Sequence, residues 1–285
     1  MDVKTERNTL YSNLEKDMKD DNPMSSLMLI DFMATELCNR TCVFCPRSKN
    51  YPNLNLHMDL NLVNKIAKNL SEFNYSGRLL FCGFGESLLY PNLSDAIKIL
   101  RDELPHNNNI HLVTNGDRLN ETVIIKLLDH GLNRFYISLY DGPEQVDYFN
   151  NLFARLNLNE SYYFLQHYYL PAEQNYGFIK LSNRAGTLFE DEAYQGVCNI
   201  PFYAMSVNYD GKVLLCSHDW TKSQVLGNLN HQTIQDVWLK SEVLLDFRKS
   251  LGQGKRSHFP CSKCNIPGNL YGNKSREVLW RTHKY

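Results

Sequence analysis

The sequence predicts an α/β protein: a partial (β/α)6-type barrel, open along one side, with a small cysteine-bearing module behind it. Three observations lead there. From residue 27 to about 182, short β-rich runs alternate with amphipathic helical patterns, as parallel β/α units do. Only five or six such strand units are present, too few for the eight of a closed barrel. After Arg184 the alternation gives way to a hairpin signal and widely spaced cysteines. The expected division is a helical extension at 1–26, the partial barrel at 27–186 and the second module at 187–285.

The elements follow in order. Leu27 to Thr35 reads as the first strand, and Leu60, Val63, Ile66, Ala67 and Leu70 mark one face of a helix from Asp59 to Phe73. Arg78 to Cys82 is a short strand, and Leu93, Ala96, Ile97 and Leu100 line a helix closed by Pro105. Ile110 to Thr114 is a strand. Asn120 to His130 is a helix with Asn120 at its cap and Gly131 at its end. Arg134 to Leu139, Ser161 to Tyr169 and Phe178 to Leu181 are the remaining strands, with a helix at Pro143 to Arg155. In the second module, Ala204 to Asn208 and Lys212 to Leu215 flank Asp210-Gly211, a hairpin signal, and one helix spans Thr233 to Ser250.

Composition excludes several classes. The 285 residues are 43% hydrophobic and 21% charged, the balance of a folded globular chain. Thirty Lys plus Arg against 31 Asp plus Glu leave a net charge of -1, so no bulk field draws the chain to nucleic acid or anionic lipid. Met1 to Asp21 lacks the apolar core of a secretory signal, and no apolar run reaches the roughly 18 residues of a membrane span. A cytoplasmic location is expected.

Without an export signal, tight thiol clusters read as metal ligands kept reduced. Cys38, Cys42 and Cys45 form C-x3-C-x2-C just past the first strand, where the active-site loops of β/α barrels lie. Three thiolates can hold three irons of a 4Fe-4S cube and leave the fourth open to a ligand. A zinc site finished by a distant His is the alternative.

With Phe44 as its aromatic, this spacing resembles the radical SAM superfamily. There the open iron binds S-adenosylmethionine (AdoMet), whose reductive cleavage yields a 5'-deoxyadenosyl radical. Phe81-Cys82-Gly83-Phe84-Gly85-Glu86 looks like the family's Gly-Gly-Glu-Pro stretch, which implies that Gly85 and Glu86 meet the methionine amine. Val113-Thr114-Asn115-Gly116 is similar to the family's Thr-Asn-Gly, and Ser138 and Tyr140 sit where ribose or carboxylate contacts are usual. The resemblance therefore implies a cofactor-binding set of Phe44, Gly85, Glu86, Thr114, Asn115, Ser138 and Tyr140.

Cys198, Cys216, Cys261 and Cys264 make a complete four-thiolate set, able to close around zinc or a second 4Fe-4S cube; composition does not separate them. Leu226-Gly227-Asn228, Ile234, Val237-Trp238 and Phe247-Arg248 look like the SPASM/Twitch extension of radical SAM enzymes, in its short Twitch form with one auxiliary cluster. The layout, with Ser182-Asn183-Arg184 before it, most resembles the 2-deoxy-scyllo-inosamine dehydrogenases of aminoglycoside biosynthesis, which implies that Arg184 lies at the substrate. The expected activity is oxidation of a hydroxyl on a small sugar or cyclitol, the second cluster taking the second electron. A peptide-modifying enzyme, a sugar dehydratase and a non-catalytic metal scaffold are the alternatives. The resemblance also implies a flavodoxin or ferredoxin as reductant.

Other features have plainer readings. Cys82 belongs to neither set and reads as a small core hydrophobe. His218 and Asp219 read as surface-loop residues, or as groups packed behind the auxiliary cluster. Tyr162, Tyr163, Tyr168 and Tyr169 suit strand packing or a polar pocket, and Glu15 to Asp21 is a solvated helix face.

Overall fold

The computed structural model describes residues 3–16, 18–19, 21–171 and 182–283. Its centre is one eight-stranded sheet in the order β5-β4-β3-β2-β1-β6-β7-β8. The strands are β1 (Leu29–Met33), β2 (Arg78–Phe81), β3 (Ile110–Thr114), β4 (Arg134–Leu139), β5 (Tyr163–His167), β6 (Ala204–Asn208), β7 (Lys212–Leu214) and β8 (Val225–Asn228). The first six run parallel to one another, and β7 and β8 add on in antiparallel order beyond β6.

The period-2 alternation of strands decides which residues face which layer. Ile30, Phe32, Leu79, Phe81, Ile110, Leu112, Phe135 and Ile137 are fully buried in the main core. They share that core with the apolar stripes of α2 (Leu60–Ser71), α3 (Leu93–Glu103), α4 (Glu121–Asp129) and α5 (Glu144–Arg155). The alternate residues point inward, and several are polar: Asp31, Arg78, His111, Ser138, Gln166 and Ser206 are all buried. Leu29, Asp31, Leu80, Val113, Ser138, Gln166 and Ala204, from six different strands, line one cavity of about 350 Å3, so the sheet curls into an open barrel around it.

Local signals set the element ends. The Asp59 carboxylate accepts from Asn61 N–H at 2.7 Å to start α2, and Asn120 Oδ1 accepts from Val123 N–H at 3.0 Å to start α4. Where one helix is expected from Thr233 to Ser250 there are two, α6 (Ile234–Lys240) and α7 (Glu242–Gly252). Ser241 breaks them: its hydroxyl donates to Leu226 O at 2.6 Å and accepts from Leu244 N–H at 3.4 Å, trading helix continuity for a cap.

The hairpin extends the barrel's own sheet, because β6 pairs in parallel with β1 from Leu29↔Ala204 to Met33↔Asn208. The sixth parallel strand thus comes from beyond residue 186, and the expected strand at Phe178 to Leu181 lies outside the described residues. In the extension, α1 (Val3–Lys16) packs at the N-terminal ends of the strands, where Glu6 and Tyr11 are buried. A last helix, α8 (Asn273–His283), packs near the single turn Pro23–Ser26, with Ser275 Oγ donating to Ser26 O at 2.9 Å.

Candidate active site

The cysteine loop leaves the C-terminal end of β1 and folds back over the cavity, and Cys38, Cys42 and Cys45 all line it. Several bonds hold the loop. Asn53 brackets Cys38, its Oδ1 accepting from Cys38 N–H at 2.9 Å and its Nδ2 donating to Cys38 O at 3.0 Å. The buried Arg47 donates to Phe84 O at 2.7 Å, to Pro52 O at 3.0 Å and to Glu36 O, tying the loop to the Phe84-Gly85-Glu86 stretch. A Cβ at Gly85 would collide with the carbonyl oxygens of Thr35 and Leu37, so only glycine lets these two segments run so close.

Arg40 was not singled out by its sequence position, yet it is the outer clamp. It grips Asp117, after β3, at 2.5 and 2.7 Å, and Asp141, after β4, at 2.7 and 2.8 Å. These bonds to Arg40 hold the Asp141 carboxyl below the ordinary carboxylate value. The only signal for this pairing in the sequence is an Arg inside the cysteine loop, which names no partner.

The residues expected to bind the cofactor converge on the same cavity: Phe44, Gly85, Glu86, Thr114, Asn115, Ser138 and Tyr140 all line it. Glu86 knits two of the three segments together. Its Oε1 accepts from Thr114 Oγ1 at 2.6 Å and Leu88 N–H at 3.0 Å, and its Oε2 accepts from Asn115 N–H at 2.8 Å. Burial raises its pKa while those three donors oppose the rise. Asn115 Nδ2 donates to Asn39 Oδ1 at 2.9 Å, joining β3 to the cysteine loop. Tyr140 lies stacked on Tyr168 at a centroid distance of 5.6 Å, with Phe44 5.6 Å from Tyr140. Of the tyrosine run, Tyr168 therefore reaches the site, whereas Tyr163 stacks in the core on Phe153 at 4.1 Å.

Arg184 lies between the two cysteine sets, within electrostatic reach of Cys45 on one side and Cys216 on the other. It lines the cavity, its Nη1 stands 3.4 Å from His218 Nδ1, and its buried Nε has no hydrogen-bond partner among the described residues. Burial lowers its pKa below the ordinary arginine value. His218 belongs to the cavity and not to a surface loop. Its backbone N–H donates to Cys216 Sγ at 3.3 Å, and burial, helped by Arg184, lowers its imidazole to about 3. Asp219 is a buried loop anchor, accepting from Thr221 Oγ1 at 2.7 Å and from Ser223 Oγ and Gln224 N–H at 3.0 Å. Cys82 packs against the apolar cluster that includes Leu29, Leu80 and Tyr203, as a small core hydrophobe would, and it also lines the cavity, 3.4 Å from Asp31 Oδ1.

The four remaining cysteines form a second group behind Arg184. Cys216 feels Cys198, Cys264 and Cys261, and Cys261 feels Cys198 and Cys264. Arg256 fastens both sides of this group, donating to Gly196 O at 3.0 Å, Ile266 O at 2.7 Å and Pro267 O at 2.5 Å. Gly268, at φ +68°, lies so close over Cys198 Sγ that a Cβ would strike the sulfur. Burial raises the Cys42 and Cys198 thiols to about 11, and neighbouring thiols add to the rise. Among the described residues no three His, Cys, Asp or Glu side chains converge as a grip for one metal ion.

Comparison with known proteins decides the family. The family model described as "Radical SAM superfamily" matches residues 33–161, and "Iron-sulfur cluster-binding domain", the SPASM model, matches 198–265. The S-adenosyl-L-methionine-dependent 2-deoxy-scyllo-inosamine dehydrogenase of Niallia circulans is 30% identical over 245 residues, 83% of this chain and 92% of that protein. The chain belongs to the radical SAM superfamily.

The crystal structure of BtrN in complex with AdoMet and 2-DOIA superposes on this radical SAM enzyme with a TM-score of 0.71 and 28% identity, over 86% of this chain and 97% of that one. Native anSMEcpe with bound AdoMet shares the fold at a TM-score of 0.56 and 14% identity, over 90% and 97% of the two chains. The cofactors of this radical SAM enzyme are AdoMet, the 4Fe-4S cluster that binds it and an auxiliary iron-sulfur cluster in the SPASM half. No helix among the described residues is long and apolar enough to cross a membrane.

Proposed function

We propose that this enzyme oxidises a hydroxyl-bearing carbon of a small sugar or cyclitol to a ketone, with Arg184 at the reacting hydroxyl. The observation that carries this reading is the place of Arg184: a half-buried guanidinium whose buried Nε has no hydrogen-bond partner among the described residues, inside the cavity of the three-cysteine loop and backed by the four-cysteine group. Bound together, AdoMet and its reduced cluster supply a 5'-deoxyadenosyl radical able to take a hydrogen atom from carbon, and the auxiliary cluster supplies an acceptor for the electron left behind.

The chain's own residues do the rest. Arg184 Nε–H donates to the substrate hydroxyl oxygen and fixes which carbon faces the cysteine loop; a guanidinium is too weak a base to take the hydroxyl proton, which leaves to solvent as the electron passes to the auxiliary cluster. Neutral His218 keeps Arg184 in place without repelling it, since an imidazolium there would oppose the guanidinium. Glu86, Thr114, Asn115 and Ser138 face AdoMet, and the Phe44, Tyr140 and Tyr168 rings wall it from water. Cys38, Cys42 and Cys45 hold the first cluster, and Cys198, Cys216, Cys261 and Cys264 the second. In this scheme 27–186 generates the radical, 187–285 houses the electron acceptor, and 1–26 lies at the opposite end of the barrel. A cytoplasmic flavodoxin or ferredoxin provides the electrons.

The test is anaerobic reconstitution followed by a screen of alcohols, beginning with 2-deoxy-scyllo-inosamine, the compound named for the Niallia circulans relative. Ketone formed together with 5'-deoxyadenosine and methionine supports the reading. AdoMet cleavage that yields only a dehydrated sugar or a modified peptide refutes it.

A further inference from the structure

The cavity does not end below the cysteine loop. It continues down the inward face of the sheet past Cys82 and Asp31 to Leu29, Arg78 and Ala204, which share one level at the strands' N-terminal ends. That path runs the length of β1, about 13 Å. At its far end stands α1, whose Arg7 and Tyr11 are part of the wall. The buried Glu6 anchors the helix, its Oε1 accepting from Arg134 Nη1 at 2.5 Å and from the Tyr136 hydroxyl at 3.0 Å. Tyr11 stacks on Tyr271 at 4.5 Å and meets Tyr203 edge-on at 5.5 Å. This helix lies outside both segments matched by the family models, at 33–161 and 198–265.

An open lower mouth would admit water to a radical reaction and leave the substrate's far end without a wall. The chemistry of that wall is uneven. The guanidinium groups of Arg7 and Arg78 and the phenols of Tyr11, Tyr203 and Tyr271 face one carboxylate, Asp31. Hydrogen-bond donors therefore outnumber acceptors, which suits hydroxyl or carboxylate oxygens better than an ammonium group.

We propose that α1 is a stopper for the lower mouth of the barrel, and that its Arg7 and Tyr11 receive the oxygen-bearing far end of the substrate. The second half of this inference rests on the proposed reaction; the first does not. In cluster-loaded protein the seven ligating thiols are occupied, so alkylation of Cys82 by iodoacetamide, mapped by mass spectrometry without oxygen, reports access to the lumen. Deletion of residues 1–16 is expected to speed that alkylation at least tenfold at unchanged iron content. Glu6→Ala, which releases the helix without shortening the chain, is expected to do the same. An unchanged rate in the Glu6 variant and the deletion overturns the stopper.

For the wall, Arg7→Met is expected to raise the calorimetric dissociation constant of 2-deoxy-scyllo-inosamine at least fivefold, with Arg7→Lys restoring most of the loss and AdoMet affinity unmoved. Equal affinity in parent and Arg7→Met overturns the wall. A parent that does not bind this cyclitol overturns the proposed substrate class while the Cys82 result stands, so the two readings fail separately.

Discussion

Asn183 and Asn265 hold each other by a pair of hydrogen bonds: Asn183 N–H donates to Asn265 Oδ1 at 3.0 Å, and Asn265 N–H donates to Asn183 Oδ1 at 3.3 Å. Asn183 Nδ2 also reaches Lys263 O at 2.7 Å. The residue before Arg184 is thus bolted to the loop that carries Cys261 and Cys264. Arg184 itself sits at φ +50° and Ala185 at +53°, a left-handed pair that this bracket must help to hold. Asn183→Ala should therefore misplace Arg184. We expect kcat for ketone formation to fall at least tenfold, from about 1–3 kcal/mol of lost hydrogen bonding, with the iron content of the protein unchanged. A loss of iron matching the loss of rate would make the bracket a cluster scaffold only.

If Arg184 holds the reacting hydroxyl, removing its guanidinium separates radical formation from substrate oxidation. Arg184→Met should lower ketone formation about a hundredfold while AdoMet is still cleaved, so that 5'-deoxyadenosine accumulates in excess over ketone. Retention of a one-to-one ratio at parent rates would remove Arg184 from the reacting hydroxyl.

Iron counting tests the two cysteine sets independently. The reconstituted parent should bind about eight irons per chain, and Cys38→Ala and Cys261→Ala should each lose about half. Zinc found with about four irons would take away the electron acceptor and with it the dehydrogenase reading.

Asp31 should make stability depend on pH. Burial raises its carboxyl from 3.8 to about 6, with Cys82, Arg78 and Ser206 only partly offsetting the desolvation. Between these two values the folded state binds the proton more tightly than the unfolded chain. Stability is therefore lost as pH rises through this window, and the loss is complete above about 6. Asp31→Asn removes the buried charge and should stabilise the protein by about 1–3 kcal/mol at pH 8, with the advantage shrinking toward pH 5. Thermal melts of the reconstituted protein across that range check it, and a variant less stable than the parent at pH 8 would show the carboxylate to be well solvated.

Much of the fold was legible because its signals are local. The β3, β4 and β6 bounds coincide with runs of alternating or β-branched residues, and Asn120 caps α4 as its position before the helical pattern implies. The cysteine loop was equally plain, since ligand spacing is a property of a few consecutive residues. Ser241 was missed because a cap and a mid-helix serine look alike until the partner carbonyl, Leu226 O, is in view. His218 was misplaced for a related reason: its side chain carries no mark of which wall it will face.

The amino-acid sequence alone determined the chemistry on offer, namely three thiols beside an aromatic, a separate set of four, and the β/α order that carries them. Only the tertiary structure decided who meets whom. It set β6 beside β1, closed Arg40 on Asp117 and Asp141, brought Arg184 between the two thiol sets and placed α1 under the barrel. Arg40 and Asp117 are 77 residues apart, and Glu6 and Arg134 are 128 apart. Pairings at such separations come from curling the whole sheet around one lumen, a collective result of burying its outer apolar face, and no local run of residues encodes them.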